Sequence, residues 1–339
     1  MLRAEQLGAG QHKAGQLRPG QRALALALAA LMWAAPVLAE ERFALIISGA
    51  SGGAEYAAQY AAWTDSLTSV LTEHLKLDAD NVRLLREGAD PGQTATAGNV
   101  RRSLAAIRQR MGADDLLLLV LIGHGTFDGV DAKFNLVGPD LEATQWAELL
   151  DGLPGRVVVV NTSAASFPFL ERMKADRRIV ITATDSAAQR FDTVFPEYFI
   201  SAFRDEAADI DKNSRVSIWE AFAFATAGVR RHYQQRGQLA TERALLDDNG
   251  DGVGREASAQ GEDGSSASRT YLDRPMPGAA PTDEVLLGLL QRRAALEAEA
   301  EELKIRRSFL PPDEYRREFE RIMIELARVS RDVRARVKS

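Results

Sequence analysis

His124 and Ser163 stand at the ends of two apolar runs and are the residue types of a nucleophilic pair. His124 lies in "LIGHGTFDG" after "DDLLLLV", and Ser163 follows the four valines of "VVVVNTSAASF" at 157–167. A serine hydroxyl becomes a strong nucleophile when a neighbouring base takes its proton, and histidine most often serves as that base. The chain has no cysteine, which excludes a thiol nucleophile, a disulfide and a thiolate metal site.

The segment 209–220, "DIDKNSRVSIWE", has the oxygen spacing of an EF-hand calcium loop. Side-chain oxygens fall at loop positions 1, 3, 5, 9 and 12, on Asp209, Asp211, Asn213, Ser217 and Glu220. Arg215 at position 7 would contribute only its backbone carbonyl, and Glu220 would be the bidentate ligand. Ser214 replaces the usual glycine, which predicts a left-handed serine at a cost of ~1 kcal/mol. The alternative is that these acids only cap the next helix.

A second acidic loop, "LLDDNGDGVG" at 245–254, matches the same pattern in part. Asp247, Asn249 and Asp251 would occupy positions 1, 3 and 5, with Gly252 at position 6. Position 12 falls on Ser258, so no bidentate acid closes this loop. It is therefore either a weaker calcium half-site or a Gly/Asp-rich surface turn.

The sequence around His124 and Ser163 predicts strands that alternate with helices. Apolar runs at 42–51, 81–87, 114–125, 156–161 and 177–184 predict strands, and helical spacing at 55–76, 97–111, 144–151 and 166–175 predicts helices. This order predicts an α/β fold with a parallel-dominated sheet covered by helices on both faces. Sites in such sheets form beyond the carboxyl ends of the strands, which places His124 and Ser163 at one rim.

Residues 1–39 predict a secretory signal peptide. Lys13, Arg18 and Arg22 precede "ALALALAALMWAAPVLA", which is short for a membrane span and ends in small residues, with cleavage expected after Ala39. The expected location is therefore periplasmic or secreted, with no membrane span in the mature chain. The net charge of −6 and the lack of a long basic tract argue against a nucleic-acid partner.

The carboxyl-terminal part predicts an extension beyond a domain at 42–254. Residues 255–283 are rich in Gly, Ser, Asp and Pro and predict a linker or irregular loop. Residues 284–339 predict a helical hairpin, with a coiled-coil stripe from Tyr315 to Val333 and a weaker one from Leu286 to Leu303. The hairpin packs either onto itself or onto the main domain, or it docks on another chain and forms an oligomer.

Four segments in order resemble the caspase-fold (clan CD) cysteine peptidases, and the legumain family most closely. They are "ALIISGASGGAEYAAQYAAW", "GHG", "VVVVNTSAAS" and "VITATDSAAQRF", within residues 42–205. The resemblance implies a caspase-like sheet, a general base at His124 followed by Gly125, and the nucleophile's position at Ser163.

The departures from that family bear on activity. Ser163 stands in place of the catalytic cysteine, Ser51 in place of an asparagine, and Ala57 and Ala58 in place of the Arg-His pair of the asparagine-selective pocket. A free thiol has a pKa of ~8.5, whereas a hydroxyl needs a base in direct contact that a third group orients. Asp128 is the one nearby candidate for that third group.

Two functions follow from this pattern. The first is a disabled pseudopeptidase that serves as a binding or assembly module for a peptide or protein partner, braced by Ca²⁺. The alternative is an active hydrolase that uses a Ser163–His124 dyad. Ser163 could also be a small turn residue that bonds its own backbone.

Overall fold

The computed structural model describes residues 40–259, 263–274, 284–305, 307 and 310–337. The predicted signal peptide at 1–39 lies outside these residues. The chain divides into two units, Met1–Glu40 and Glu41–Ser339, and the fold described below belongs to the second unit.

A six-stranded sheet forms the centre of the fold. Its strands are β1 (Arg42–Ser48), β2 (Val82–Leu85), β3 (Leu116–Ile122), β7 (Arg156–Asn161), β8 (Arg178–Thr182) and β9 (Leu245–Asp247). The spatial order is β2-β1-β3-β7-β8-β9, and all neighbours are parallel except β8 and β9. Every residue of β1 and β3 is buried, as expected for central strands covered on both faces.

Six helices cover the two faces of this sheet. They are α1 (Ala54–Ser69), α2 (Ala97–Arg110), α3 (Ala143–Leu150), α4 (Phe167–Met173), α5 (Phe195–Ala202) and α6 (Ile218–Gln235). Alternate strand residues enter two cores: one packs against α1, α5 and α6, and the other against α2, α3 and α4. The predicted α/β class, with the parallel-dominated sheet that the caspase-like resemblance implies, is confirmed.

A small antiparallel sheet follows His124 directly. Its strands are β4 (Gly125–Phe127), β5 (Ala132–Phe134) and β6 (Leu141–Glu142). Phe134 is fully buried and its ring lies edge-on to Trp146 of α3. This packing fixes the chain on the carboxyl side of His124.

The carboxyl-terminal helices α7 (Glu284–Ile305) and α8 (Pro312–Val337) pack against each other. The predicted stripes meet in a separate apolar cluster that includes Leu290, Leu296, Ile322 and Val329. The helical extension is therefore present, and its apolar seam is buried within the chain. Over the described ranges, no helix combines the length and the apolar character needed to cross a membrane.

The described residues of the predicted linker, 255–259 and 263–274, form turns and one short 3-10 helix (Ala267–Arg269), and residues 263–274 pack on the domain. Ser217 and Tyr271 form an antiparallel bridge, and the Ile218 amide donates to the Thr270 carbonyl. Ala267 and Leu272 belong to the core beneath α6. These contacts extend the packed domain beyond the predicted boundary at 254.

Candidate functional site

The predicted rim is present because β1, β3, β7 and β8 are parallel and end at the same edge. Their carboxyl ends deliver Ser51, His124, Ser163 and the 183–185 segment to this edge. The spatial order places β3 beside both β1 and β7. The sequence therefore brings His124 and Ser163 to adjacent strand ends, as expected.

His124 is held by three oxygen groups. Its Nε2 atom lies 3.0 Å from the carbonyl oxygen of Ser51 and 3.2 Å from the hydroxyl of Tyr60. Its Nδ1 atom lies 3.3 Å from Oδ1 of Asp192, whose Oδ2 accepts a 2.6 Å hydrogen bond from Tyr56. A carboxylate thus orients the ring, as the third member of a catalytic triad does.

Asp192, rather than Asp128, is the carboxylate beside His124. Oδ1 of Asp128 accepts the amides of Val130 and Asp131, and its other oxygen pairs with Lys133 at 3.2 Å. These amides and Lys133 lower the pKa of Asp128 to about 2. Asp128 therefore closes the β4–β5 turn and takes no part in orienting the ring.

Tyr60 occupies the position at Nε2 that a nucleophile would need. The neutral imidazole has two tautomers. When the proton is on Nδ1, that atom faces Asp192 and Nε2 can accept a hydrogen bond from the Tyr60 hydroxyl. When the proton is on Nε2, that atom can donate to the Ser51 carbonyl. Burial, with a further contribution from Asp192, raises the pKa of Tyr60 well above its ordinary value. Tyr60 is therefore a neutral hydrogen-bonding partner and a poor nucleophile.

Ser163 is buried and bonded to a different residue. It is 1% exposed, and both its amide and its hydroxyl donate to Oδ1 of Asn161, at 3.1 Å and 2.7 Å. The hydroxyl proton is directed at Asn161, so the bond to His124 that the alternative dyad requires is not formed. Ser163 is thus a small turn residue, as one interpretation of the sequence has it, but its hydroxyl bonds the Asn161 side chain rather than its own backbone.

Gly125 lies directly over Ser163. A Cβ atom placed on Gly125 would come within 2.2 Å of the Ala164 carbonyl oxygen and 2.6 Å of the Ser163 Oγ. The backbone after His124 therefore covers the serine, and any side chain at position 125 would collide with it. A cavity of about 10 Å³ remains beside Tyr60 and Asp192, about the volume needed for one water molecule.

Ser51, Ala57 and Ala58, which the legumain resemblance aligns with the asparagine-selective region, do not come together in a polar pocket. The Ser51 amide and hydroxyl both donate to Oε2 of Glu87, at 3.0 Å and 2.6 Å, and lower the pKa of that carboxyl. Ala57 and Ala58 are exposed on α1. Ser51 therefore pins the turn after β1 to the chain after β2.

The predicted calcium loop brings three carboxylates together. One oxygen from each of Asp209, Asp211 and Glu220 lies within 4.8 Å of the others, the one such acidic group among the described residues. Burial, and then the charge of Glu220, raise the pKa of Asp211 to about 7, and burial raises the pKa of Glu220. A bound cation would offset these costs, so the all-oxygen set fits Ca²⁺.

The same carboxylates also hold the loop together. Asp209 accepts the amides of Asn213 and Ser214, each at 3.0 Å. Oε1 of Glu220 accepts the Asp211 amide at 3.2 Å, and Oε2 accepts the Ser217 amide and hydroxyl at 2.9 Å. Ser217 and Glu220 form a reciprocal capping box at the start of α6, which is the capping role that the sequence left open.

Ser214 and Arg215 have different roles in this loop: the first sets its backbone conformation and the second joins it to Asp273. Ser214 has φ of 67°, so the expected left-handed serine is present. The Arg215 guanidinium binds both carboxylate oxygens of Asp273, at 2.8 Å and 2.9 Å, and stacks on the Tyr271 ring at 3.9 Å. The helix before the loop, α5, ends at Ala202, and the loop begins at Asp209.

The second acidic loop is a tight turn after β9. Asp247 is buried and its two oxygens accept the amides of Gly250 and Gly252, at 2.9 Å and 2.8 Å. Asn249 and Asp251 accept the amides two residues further along. Asp247, Asn249 and Asp251 therefore satisfy the turn's own backbone, which agrees with the Gly/Asp-rich turn.

Known proteins are similar to this chain at the level of structure. A structural-genomics protein from Geobacter sulfurreducens is 14% identical with a TM-score of 0.42, matched over 64% of this chain and 97% of its own. Iotapain, a secreted cysteine protease from Bacteroides thetaiotaomicron, is 11% identical with a TM-score of 0.36, over 62% of this chain and 67% of its own. The sequence matches no family model. It also matches no curated protein.

Proposed function

We propose that the protein is an exported caspase-like peptidase homologue whose peptidase chemistry is disabled and which acts as a binding or assembly module. One observation supports this most directly. The Ser163 hydroxyl is buried beneath Gly125 and donates to Asn161, while the His124 ring is engaged by Ser51, Tyr60 and Asp192. A nucleophile must be accessible and in contact with its base, and Ser163 has neither property.

A fluorophosphonate probe tests this proposal, because it reacts covalently with activated serines. We expect the purified mature protein to label no more strongly than its Ser163→Ala variant, with a known serine esterase labelled in parallel. Labelling that disappears in Ser163→Ala would show that the buried geometry opens to a working site.

The alternative function, a hydrolase with a Ser163–His124 dyad, is favoured by one observation. Asp192 stands 3.3 Å from Nδ1 of His124, which is where a triad's carboxylate lies. In that case each of the three single variants, Asp192→Asn, Ser163→Ala and His124→Ala, would lower the rate of ester hydrolysis. If all three variants retain the wild-type background rate, the dyad is excluded.

Calcium is proposed as a brace between α6 and the 270–273 segment. Asp209, Asp211 and Glu220 would supply carboxylates, Asn213 and Ser217 side-chain oxygens, and Arg215 its backbone carbonyl. The Arg215 side chain joins this loop to Asp273, so ordering the loop would also order that segment. Calorimetric titration should show one Ca²⁺ per wild-type chain and none for Glu220→Ala. Identical traces for the two proteins would remove the site.

Export and partner binding are the remaining parts of the proposal. The signal peptide at 1–39 predicts that the mature chain begins at Glu40, which amino-terminal sequencing of the periplasmic or secreted fraction can check. A peptide or protein partner, and an oligomer through the carboxyl-terminal helices, would suit a non-catalytic role. Light scattering of the purified protein gives the oligomeric state, and a monomer would argue against assembly through α7 and α8.

A further inference from the structure

A cavity of about 710 Å³ lies between α6, the calcium loop and the hairpin of α7 and α8. Its size falls within the range of small-molecule sites, about 300–1,000 Å³. None of its lining residues belongs to the His124 and Ser163 region at the sheet rim. We call it the hairpin pocket.

The pocket has an apolar floor because the hairpin leaves part of α6 uncovered. The apolar cluster of α7 and α8 packs on itself, and among the described residues Ile210 is the one domain residue packed against it. Trp219, Ala223 and Ala227 recur every four residues on α6, so they form a stripe of about 12 Å along one helix face. Phe224 lies beside this stripe and is half-buried.

The rim of the pocket is cationic although the whole chain carries a net charge of −6. Arg230 and Arg231 follow the apolar stripe on α6, Arg334 faces them from α8, and Lys212 lies on the calcium loop. Asp209 is the one acidic residue of the lining, and its oxygens accept the Asn213 and Ser214 amides. The charge of the pocket is thus opposite in sign to that of the protein.

We propose that the hairpin pocket binds a single-chain anionic amphiphile, a molecule with a linear apolar body and one carboxylate or phosphate head. The apolar body lies along Ala223, Phe224 and Ala227, whose exposed surface it removes from water, and one end of it contacts the edge of the buried Trp219. The head lies at Arg230 and Arg334, because guanidinium groups bind carboxylate and phosphate with paired hydrogen bonds. This assignment names a ligand class for the proposed binding role and does not depend on the state of Ser163.

Calorimetric titration with dodecanoate and dodecyl phosphate, both below their micelle concentrations and in calcium-free buffer so that neither precipitates as a calcium salt, tests the proposal. We expect each to bind once per chain, and dodecyltrimethylammonium and dodecyl maltoside to bind at least about tenfold more weakly. A bromine-labelled dodecanoate should quench tryptophan fluorescence in the wild type and much less in Trp219→Phe. Equal binding of all four amphiphiles would overturn the proposal, since the cationic rim would then make no difference.

Two variants separate charge from space. The double variant Arg230→Glu/Arg334→Glu should bind the anions at least about tenfold more weakly, whereas Arg101→Glu, an exposed change on α2, should bind as the wild type does. Ala227→Trp keeps the cations and fills the cavity, so it should also lose binding. Circular dichroism checks that each variant is folded, and undiminished binding by the double variant or by a folded Ala227→Trp contradicts the assignment.

A sedimentation assay with anionic phospholipid vesicles distinguishes a free amphiphile from a membrane surface. The proposal expects the protein to bind monomeric amphiphiles and to stay in the supernatant with vesicles. Binding to vesicles without binding to the monomers would overturn it in favour of a membrane-contacting face. Binding of an acidic amphipathic peptide in place of the monomers would likewise overturn it. The fluorophosphonate assay reads Ser163 alone, so failure here leaves the proposed loss of peptidase chemistry standing.

Discussion

Replacing Ser214 by glycine tests whether the calcium loop carries backbone strain. Ser214 has φ of 67°, a left-handed conformation that costs a residue with a Cβ atom about 1–2 kcal/mol. Glycine removes this cost but loses more conformational freedom on folding, which offsets about 0.5–1 kcal/mol. The Ser214 side chain is exposed, and the amide bond to Asp209 is kept in the variant. We therefore expect Ser214→Gly to raise the free energy of unfolding by about 0.5–1 kcal/mol.

Urea and thermal denaturation measure this change, with Ser201→Gly as the matched control. At ~2–4 °C per kcal/mol for a domain of this size, Tm should rise by ~1–4 °C in Ser214→Gly. Ser201 is also exposed but lies in α5, where glycine is a poor helix former, so that variant should lose about 0.5 kcal/mol. If the two variants lose stability equally, the left-handed serine carries no strain and the reasoning is refuted.

Three further predictions concern the rim and the core. Ser163→Cys introduces the sole thiol of the chain, at a position that is 1% exposed. Iodoacetamide should therefore label the native variant on the order of 100-fold more slowly than the urea-unfolded variant, and equal rates would show an open site. Gly125→Ala should cost about 2 kcal/mol or more in urea denaturation, because the new Cβ collides with the Ala164 carbonyl and Ser163 Oγ, and an unchanged midpoint would disprove that contact. Burial raises the pKa of Glu242 to about 7, so the folded chain keeps this proton to a higher pH than the unfolded chain and stability falls as pH rises from about 4.5 to about 7. The variant Glu242→Gln cannot titrate at this position, so relative to it the wild type should lose up to about 3 kcal/mol of unfolding free energy over that pH interval. Parallel curves of unfolding free energy against pH for the two proteins would contradict the raised pKa of Glu242.

The sheet could be predicted where a strand is long and buried on both faces. The runs that became β1, β3, β7 and β8 are continuous and apolar, and two covered faces select that pattern. The antiparallel strand β9 could not be predicted, since Leu245–Asp247 is three residues long and merges into an acidic turn. Its place in the sheet depends on pairing with β8, which is distant in sequence.

The candidate site was predictable in its strand ends and unpredictable in its side-chain partners. The alternating pattern predicts that His124 and Ser163 lie at the same edge of a parallel sheet, but only the structure shows that β3 and β7 are neighbours. Asp192 lies in an irregular segment before α5 and has no periodicity that marks it. Tyr60 has the spacing of a core residue on α1, and only the packing of that helix brings its hydroxyl to His124.

The calcium loop shows the same division between local and long-range features. The spacing of its oxygens and the missing glycine predicted three converging carboxylates and a left-handed Ser214, and both are found. The bidentate pair of Arg215 with Asp273 joins residues on either side of α6 and leaves no local trace. That pair is one of several contacts that hold a segment with the composition of a linker on the domain.

Under the proposal that the chain lacks peptidase chemistry, the oxygen at position 163 is one of two separate obstacles to that chemistry. The first is chemical, since a hydroxyl needs a base in contact and a thiol largely does not. The second is geometric, since Asn161 and Gly125 hold position 163 beneath the backbone after His124. If the chemistry alone were responsible, Ser163→Cys would restore a reactive thiol beside an oriented histidine. Because the cover is built from backbone and a buried amide, the cysteine should instead remain buried, so a reactive thiol at this position would require an open turn as well as the sulfur.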